Sequence, residues 1–441
     1  MRHPLLFWSI ALCFVASLPG QEPSGLQVQS AEPRLATLLA ASTASLRTEP
    51  TAGSGIDAAW TNLGQLRLGD SSAARTTLEA SWSNARGDAE ALPPDDLAWF
   101  VVAYYWYLRA SRDAGPMRDH WHELQSAIQR AEAAPRTTFA QEAMFVHAMF
   151  CLGGLLDTCD RIEAPQRWQK TQPSPRPGGL WTRKAIERLF ALEASTWQPG
   201  RGHFRPHLTA GAIVLPERAD VSVLVPAAAG LLVATEDRLL RHLRTVIGAP
   251  VSASAANATT VPFLPFVTAF ELSAAAQVDD EAARTRCWTA MLAGLDPDRL
   301  GAAHAGALLD SVLFAITGLR LATGAGVDED VVRVRPWLPP HHDHLRLRGL
   351  CVDGASFDLD LSQRTGPFCR DEADEPALVD LPDATPRLRV RFTLVATPGG
   401  SPRTVVLQAA GTQYLAELKP GAILERSLPR LCRETQHEAP R

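Results

Sequence analysis

The chain has 441 residues, 46% of them hydrophobic and 21% charged, so it is a globular protein long enough for one large domain or two medium ones and not a disordered polymer. A net charge of -5 and a pI near 6.2 supply no basic field, which argues against nucleic acid or an anionic membrane as the main partner. A neutral ligand, or one of mixed polarity, suits that charge balance.

Residues 1–20 open with the short cationic MRHP, continue through the largely apolar LLFWSIALCFVA and end in SLPG, the pattern of a signal peptide. Export to a periplasmic or extracellular location is the expectation. Later residues offer no uninterrupted apolar run of the roughly eighteen that a membrane span needs, so no membrane insertion is expected. Cys13 sits inside the apolar run without the small residues a lipoprotein site requires. Its removal leaves Cys151, Cys159, Cys287, Cys351, Cys369 and Cys432. Cys151 and Cys159 lie eight apart on one expected helix, roughly 12 Å at about 1.5 Å per residue, too far to pair there. Cys351 with Cys369 is a plausible bridge.

From residue 31 to about 323 apolar residues recur three and four apart, in about eleven segments. In chain order they are PRLATLLAASTASL, IDAAWTNLGQLRLG, DDLAWFVVAYYWYLRAS, MRDHWHELQSAIQRA, TFAQEAMFVHAMFCLGGLLDTC, LWTRKAIERLFALEAS, VSVLVPAAAGLLVA, EDRLLRHLRTVI, PFVTAFELSAAAQ, DEAARTRCWTAMLAGL and AHAGALLDSVLFAITGLRLATG. Pro93 and Pro94 before Asp95 mark one helix entrance, and Asp279 or Asp280 another. Most segments are apolar on more than one face, as in helices packed between neighbours. No fixed period with repeated signature positions marks a solenoid.

After Gly324 the period changes to two. VVRVRPWL, HLRLRGLCV and SFDLDLS alternate apolar with polar residues, and VDGA offers a hairpin turn between the last two. RDEADEPALVDLPDATP, at 370–386, reads as an acidic linker, and RLRVRFTLVA and RTVVLQA around TPGGSP read as another hairpin. HHDH at 341–344 follows two prolines and reads as a solvated turn rather than a metal site; no CxxC or Cys/His ligand spacing points to zinc. No cofactor motif is present, so no metal and no cofactor are expected.

An array of about a dozen helices closed by RVRPWLP and followed by alternating strands resembles the six-hairpin glycosidases, the glucoamylase-, debranching-enzyme- and rhamnosidase-like proteins. DDLAWFVVAYYWYLRASRDAGPMRDHWHELQSAIQRA, QEAMFVHAMFCLGGLLDTCD and the Trp197–Phe204 turn of STWQPGRGHFRP add to the resemblance, which extends over residues 55–337. It implies a mainly α fold: an (α/α)6-barrel-like helical-hairpin toroid at 31–325, a β segment at 326–365 that closes it, an acidic linker at 366–386, and a C-terminal β-hairpin and tail at 387–441.

It also implies a carbohydrate ligand. Inverting glycoside cleavage needs a carboxylic acid and a carboxylate roughly 6.5 to 9.5 Å apart in one pocket. In the family the acid sits on a loop where this chain has only AEAAPRTTFAQ at 131–141, and the base near an entrance occupied here by His304, with Asp310 two turns on. Both expected positions look empty. Asp95, Asp96 and Glu142 are the substitute catalytic carboxylates, weighed against roles as an N-cap and as a first-turn residue stabilised by the helix dipole. Asp220 reads as another cap and Glu123 as a surface residue. Trp99, Tyr105, Trp106, Trp197, His203 and Phe204 are candidate ligand contacts, because sugar C–H faces stack on aromatic rings; Tyr104, Tyr107, Trp60, Trp82 and Trp121 are further aromatic positions, with core packing the competing role. Asn257 in NAT matches a glycosylation acceptor. The expectation is an exported protein of the six-hairpin class that binds, and with those carboxylates hydrolyses, a glycoside. Its alternative is a catalytically degenerate barrel that binds a saccharide or scaffolds a protein partner, and a third reading is a helical-hairpin interaction protein with no sugar ligand.

Overall fold

Apolar spacing of three and four places a buried stripe along each helix, and where a helix is apolar all round it must be surrounded. The computed structural model describes residues 26–30, 32–47, 54–86, 93–162, 178–206, 208, 221–231, 236–248, 264–278, 280–319, 331–364, 387–409 and 412–429. The proposed signal peptide, Asp220, Asn257, Cys369, Cys432 and the acidic linker lie outside these residues. Within them the chain is mainly α with a C-terminal β part.

The first strand, β1 (Gln27–Ser30), precedes α1 (Pro33–Arg47), α2 (Gly55–Arg67), α3 (Ser71–Arg86), α4 (Pro94–Ser111), α5 (Gly115–Ala133) and α6 (Phe139–Ile162). Next come α7 (Gly178–Thr196), a short hairpin of β2 (Trp197–Gln198) and β3 (His203–Phe204), α8 (Val225–Ala228), α9 (Glu236–Gly248), α10 (Leu264–Gln277), α11 (Glu281–Gly294) and α12 (Ala302–Thr317). The helix α2 packs on α4, α4 on α6, α6 on α8, α8 on α10, α10 on α12, and α12 back on α2. The remaining helices flank these: α3 and α5 lie against α4, α7 against α6, α9 and α11 against α10, and α1 against α12. The helix Phe139–Cys159 is long and apolar enough to cross a membrane, yet it is largely buried inside the molecule, where α4, α7 and α8 cover it.

Several expectations change. The helix α3 went unread because its buried positions Ala74, Thr77, Leu78, Ser81 and Trp82 include small and hydroxylated residues that dilute the stripe. VSVLVPAAAGLLVA is a 3-10 turn at Val221–Leu224 and one turn of α8, not a full helix. The last segment stops at Thr317, because Gly318 adopts φ +69 and a Cβ there would meet the Arg335 backbone at 2.6 Å.

The close contact of α2 with α12 depends on two glycines. A Cβ on Gly64 would lie 2.6 Å from the Cα of Gly306, and one on Gly306 would overlap the Trp60 carbonyl. Gly306→Ala should therefore destabilise the protein by about 3 kcal/mol, whereas Gly179→Ala, which meets nothing within 4 Å, should stay within about 1 kcal/mol of wild type. Urea denaturation of both variants checks this.

The β part contains β4 (Val331–Val334), β5 (His344–Val352), β6 (Ala355–Arg364), β7 (Arg387–Ala396), β8 (Arg403–Ala409), β9 (Thr412–Leu418) and β10 (Ile423–Pro429). One sheet runs β1-β5-β6-β7-β10, and a second runs β4-β8-β9 with β4 and β8 parallel. The VDGA turn is as read: β5 and β6 are antiparallel, with Asp353 and Gly354 at φ 50 and 74. The second expected hairpin is corrected. Instead of pairing with β8, β7 lies between β6 and β10, since alternation marks strands without naming their partners. His342 is buried against Trp288, not solvated. Cys151 and Cys159 share α6 and, with Cys287 and Cys351, form no bridge among the described residues.

Two arginines join the β part to the helices. Arg67, at the end of α2, donates to Asp310 of α12 at 2.7 Å and to the carbonyl oxygens of Leu319 and Cys351 at 3.1 and 3.4 Å. Both charged side chains are at most 2% exposed. Arg109, at the end of α4, holds Asp353 in the β5–β6 turn with a hydrogen bond at 3.1 Å and an ion-pair contact at 2.8 Å, and donates to the Tyr105 hydroxyl. Removing one member of the inner pair strands a buried charge, so Arg67→Met should cost about 3–5 kcal/mol, and adding Asp310→Leu should recover much of that loss. Chemical denaturation of the single and double variants measures both steps.

Candidate functional site

The entrances of the central helices lie together, because their side chains bond across them. Pro93 caps α4 without a side-chain bond, which frees the two first-turn aspartates for other helices. Asp96 accepts the backbone N–H of Gly55 at 2.9 Å, at the start of α2. It thus satisfies an orphan donor of a neighbouring helix rather than capping its own. Burial raises the Asp96 carboxyl, and the Gly55 N–H offsets part of that rise.

Asp95 accepts from Gln141 Nε2 at 2.9 Å, which ties α4 to α6. Gln141 belongs to a reciprocal cap: its Nε2 donates to Asp95, its Oε1 accepts the N–H groups of Thr137 and Thr138, and the Thr138 hydroxyl accepts the Gln141 N–H. This is the S/T-x-x-E/Q pattern of a capping box, present in TFAQ. Glu142 follows at once and is held between two guanidiniums, Arg188 at 2.8 and 3.2 Å and Arg136 at 3.3 Å. Both cations also lie over the Phe145 ring. The three predicted carboxylates therefore sit along one rim, each with a partner.

The floor of this rim is aromatic. Trp60 is fully buried, with its ring 5.7 Å from Trp99, 5.6 Å from Trp106 and 5.5 Å from Phe270. On the other side of α2 from α4, His304 at the start of α12 is half-buried with its ring 4.4 Å from Phe266. Of the predicted ligand contacts, Trp99 and Trp106 lie in this floor. Tyr105 faces the other end, against Arg109. His203 and Phe204 are buried beside His242: the Phe204 N–H donates to His242 Nδ1 at 3.2 Å, and Phe204 packs on Phe139 and Trp197. Trp197 is half-buried under Arg238. Trp82 donates to Glu123 at 3.0 Å, which gives Glu123 a structural partner. The aromatic candidates thus divide among three clusters instead of converging on one.

Sequence reasoning passed over Glu271, a lone acid inside the apolar PFVTAFELSAAAQ. It follows Phe270 on α10 and is half-buried, and burial pushes its carboxyl up to about 7. The buried Cys287 thiol, whose own pKa is pushed up to about 12 mainly by burial, interacts with it from α11. Among the described residues no group of three or more His, Cys, Asp or Glu side chains comes together as metal ligands.

A carboxyl neutral in the fold and ionised when unfolded stabilises below about pH 4.5, and that contribution is lost as pH rises towards about 7. The slope from Glu271 can reach about 1.4 kcal/mol per pH unit between those values. Melting temperature should fall between pH 5 and 7.5, and Glu271→Gln should flatten that fall. A variant that keeps the wild-type slope would assign the dependence elsewhere.

No protein-family model and no curated protein matches the chain. Solved structures do. An α-L-rhamnosidase from Aspergillus terreus is 11% identical with a TM-score of 0.55, and one from Dictyoglumus thermophilum is 8% identical with a TM-score of 0.57; each match covers 92% of this chain and 50% of the other. A GH78 family rhamnosidase of a Bacillus species is 10% identical with a TM-score of 0.51, over 77% of this chain and 40% of that one. The chain thus spans about half the length of these structures or less. At such identities the likeness is one of fold: the chain has a glycosidase-like fold.

Proposed function

We propose that this is an exported carbohydrate-binding protein of the six-hairpin class, in which α2, α4, α6, α8, α10 and α12 form the inner ring of an (α/α)6 barrel. The glycoside is received at the entrance rim between Asp95, Asp96, Glu142 and His304, above the Trp60 floor. What supports a glycoside as the ligand is the fold likeness to three rhamnosidase structures. Binding rather than cleavage is favoured by one observation above all: Glu142 is clamped by Arg136 and Arg188, and Asp95 by Gln141. A base must be free to hold water, and an acid must be free to reach the leaving oxygen.

Hydrolysis is the second reading, and Asp96 favours it. Its carboxyl is raised by burial, as a general acid requires. Asp96 then protonates the leaving oxygen, and a second rim carboxylate activates water.

The decisive experiment incubates the mature protein with a panel of oligosaccharides that includes α-L-rhamnosides, resolves any products by mass, and measures binding calorimetrically. Binding without release is the expected result, with His304→Ala weakening it at least about tenfold, or about 1.4 kcal/mol. Release abolished by Asp96→Asn or Glu142→Gln would establish the hydrolytic reading. Neither binding nor release would overturn both.

A further inference from the structure

The polar face of the five-stranded sheet carries a groove of about 360 Å³, lined by residues of β1, β5, β6 and β7 and by none of the rim residues. Two irregularities in neighbouring strand pairs shape it. Between β5 and β6 the register jumps from Leu347↔Leu359 to Leu350↔Phe357, so Arg348 and Gly349 together oppose Asp358. Gly349 adopts φ +68 and its N–H donates to Asp358 Oδ1 at 3.0 Å, which fixes the bulge. Between β6 and β7 the register jumps from Ser356↔Ala396 to Phe357↔Leu394, which leaves Val395 as the extra residue. The bulged residues Arg348, Gly349 and Val395 line the groove, together with Asp358 opposite the first bulge and Ser356 beside the second. Such adjacent bulges bend the strands away from a flat surface and re-aim side chains.

The chemistry of the walls selects the ligand. Gln27 and Gln29 of β1 stand across from Arg348 and Arg346, and their amides are without a side-chain partner among the described residues. The two arginines are already neutralised: Arg346 binds Asp360 at 2.7 Å, and Arg348 binds Asp360 at 3.0 Å and Asp358 at 3.5 Å. Two guanidiniums face two carboxylates, so the wall carries no net positive charge to attract an anion. What remains is an electroneutral set of planar donors and acceptors, beside a Val395 side chain that is 44% exposed. Paired hydroxyls bond to such planar groups, and a C–H face packs on the valine.

We propose that this groove is a second binding site, for a neutral saccharide, separate from the rim and independent of whether the rim binds one. The test titrates cellotetraose, mannotetraose and laminaritetraose, and separately inorganic sulfate and tetragalacturonate, into the wild type and into His304→Ala. In both backgrounds Gln27→Ala/Gln29→Ala, and Val395→Arg as an independent block, should raise the Kd for a neutral tetrasaccharide at least about tenfold while the melting temperature is kept. His304→Ala alone reports on the rim, so failure there leaves the groove measurable. Unchanged affinity in both groove variants, no neutral tetrasaccharide bound, or the anionic probes bound in preference would each overturn the proposal.

Discussion

The buried contact between Arg67 and Asp310 is the constraint on which the rest of the arrangement depends. Their charges are 243 residues apart in sequence and at most 2% exposed. Taking both out of water costs several kcal/mol per ion, so the pair persists only if its remaining hydrogen-bonding capacity is used. Arg67 uses it on the carbonyl oxygens of Leu319 and Cys351. One guanidinium thereby joins α2, α12, the segment after α12 and strand β5. A lysine could supply the charge but not the fork of donors in fixed directions. Arg109 repeats the device one hairpin away, where it holds the β5–β6 turn through Asp353. The β part is therefore pinned beneath the outgoing ends of α2 and α4, and their entrances form the opposite end of the molecule.

At that opposite end the same currency is spent differently. Helix entrances carry unsatisfied N–H groups and a partial positive charge, so acids gather there for reasons that involve no substrate. Asp96 serves the start of α2, and Asp95 engages the capping box of α6. Glu142 meets arginines from the α5–α6 connection and from α7. A rim of carboxylates resembles a catalytic constellation and is also what a bundle of parallel entrances needs to hold together. The difference lies in whether an acid has a partner in the resting fold, and these three have one.

Much of the architecture was legible because it is written locally. The stripes of α1, α2, α4–α7 and α9–α12, the Asp280 cap, whose side chain accepts the Ala283 N–H at 2.8 Å, and the Asp353–Gly354 turn depend on residues within a few positions of one another. The Thr138–Gln141 cap was equally local, and only Glu142 beside it drew notice. What stayed hidden is non-local. Nothing near β1 announces that Gln27–Ser30 pairs with β5 more than three hundred residues on, or that β8 leaves β7 to run parallel to β4. Nor does DDLAWF reveal that its second aspartate serves another helix. For the aromatic row both ligand contact and core packing stood open, because composition cannot say which way each ring points; Trp99, Tyr105 and Trp106 are buried.

The two ends differ in how far they tolerate change, and the contacts give the reason. Leucines, valines and phenylalanines of β5, β6, β7 and β10 are buried on one face of the larger sheet, among them the Phe357–Phe392 pair at 5.1 Å. Alternation then obliges the other face to carry the polar residues, and the arginine–aspartate ladder there neutralises itself. A self-neutral face needs nothing from the helices, so its two bulges can reshape it without disturbing the Arg67 and Arg109 clamps on the other side of the β5–β6 turn. The rim has no such freedom, because each of its acids holds a helix in place and a change in any one of them is felt by its neighbour. Substitution on the polar face of the sheet therefore costs folding little, whereas a rim carboxylate can be freed only by giving up a structural partner.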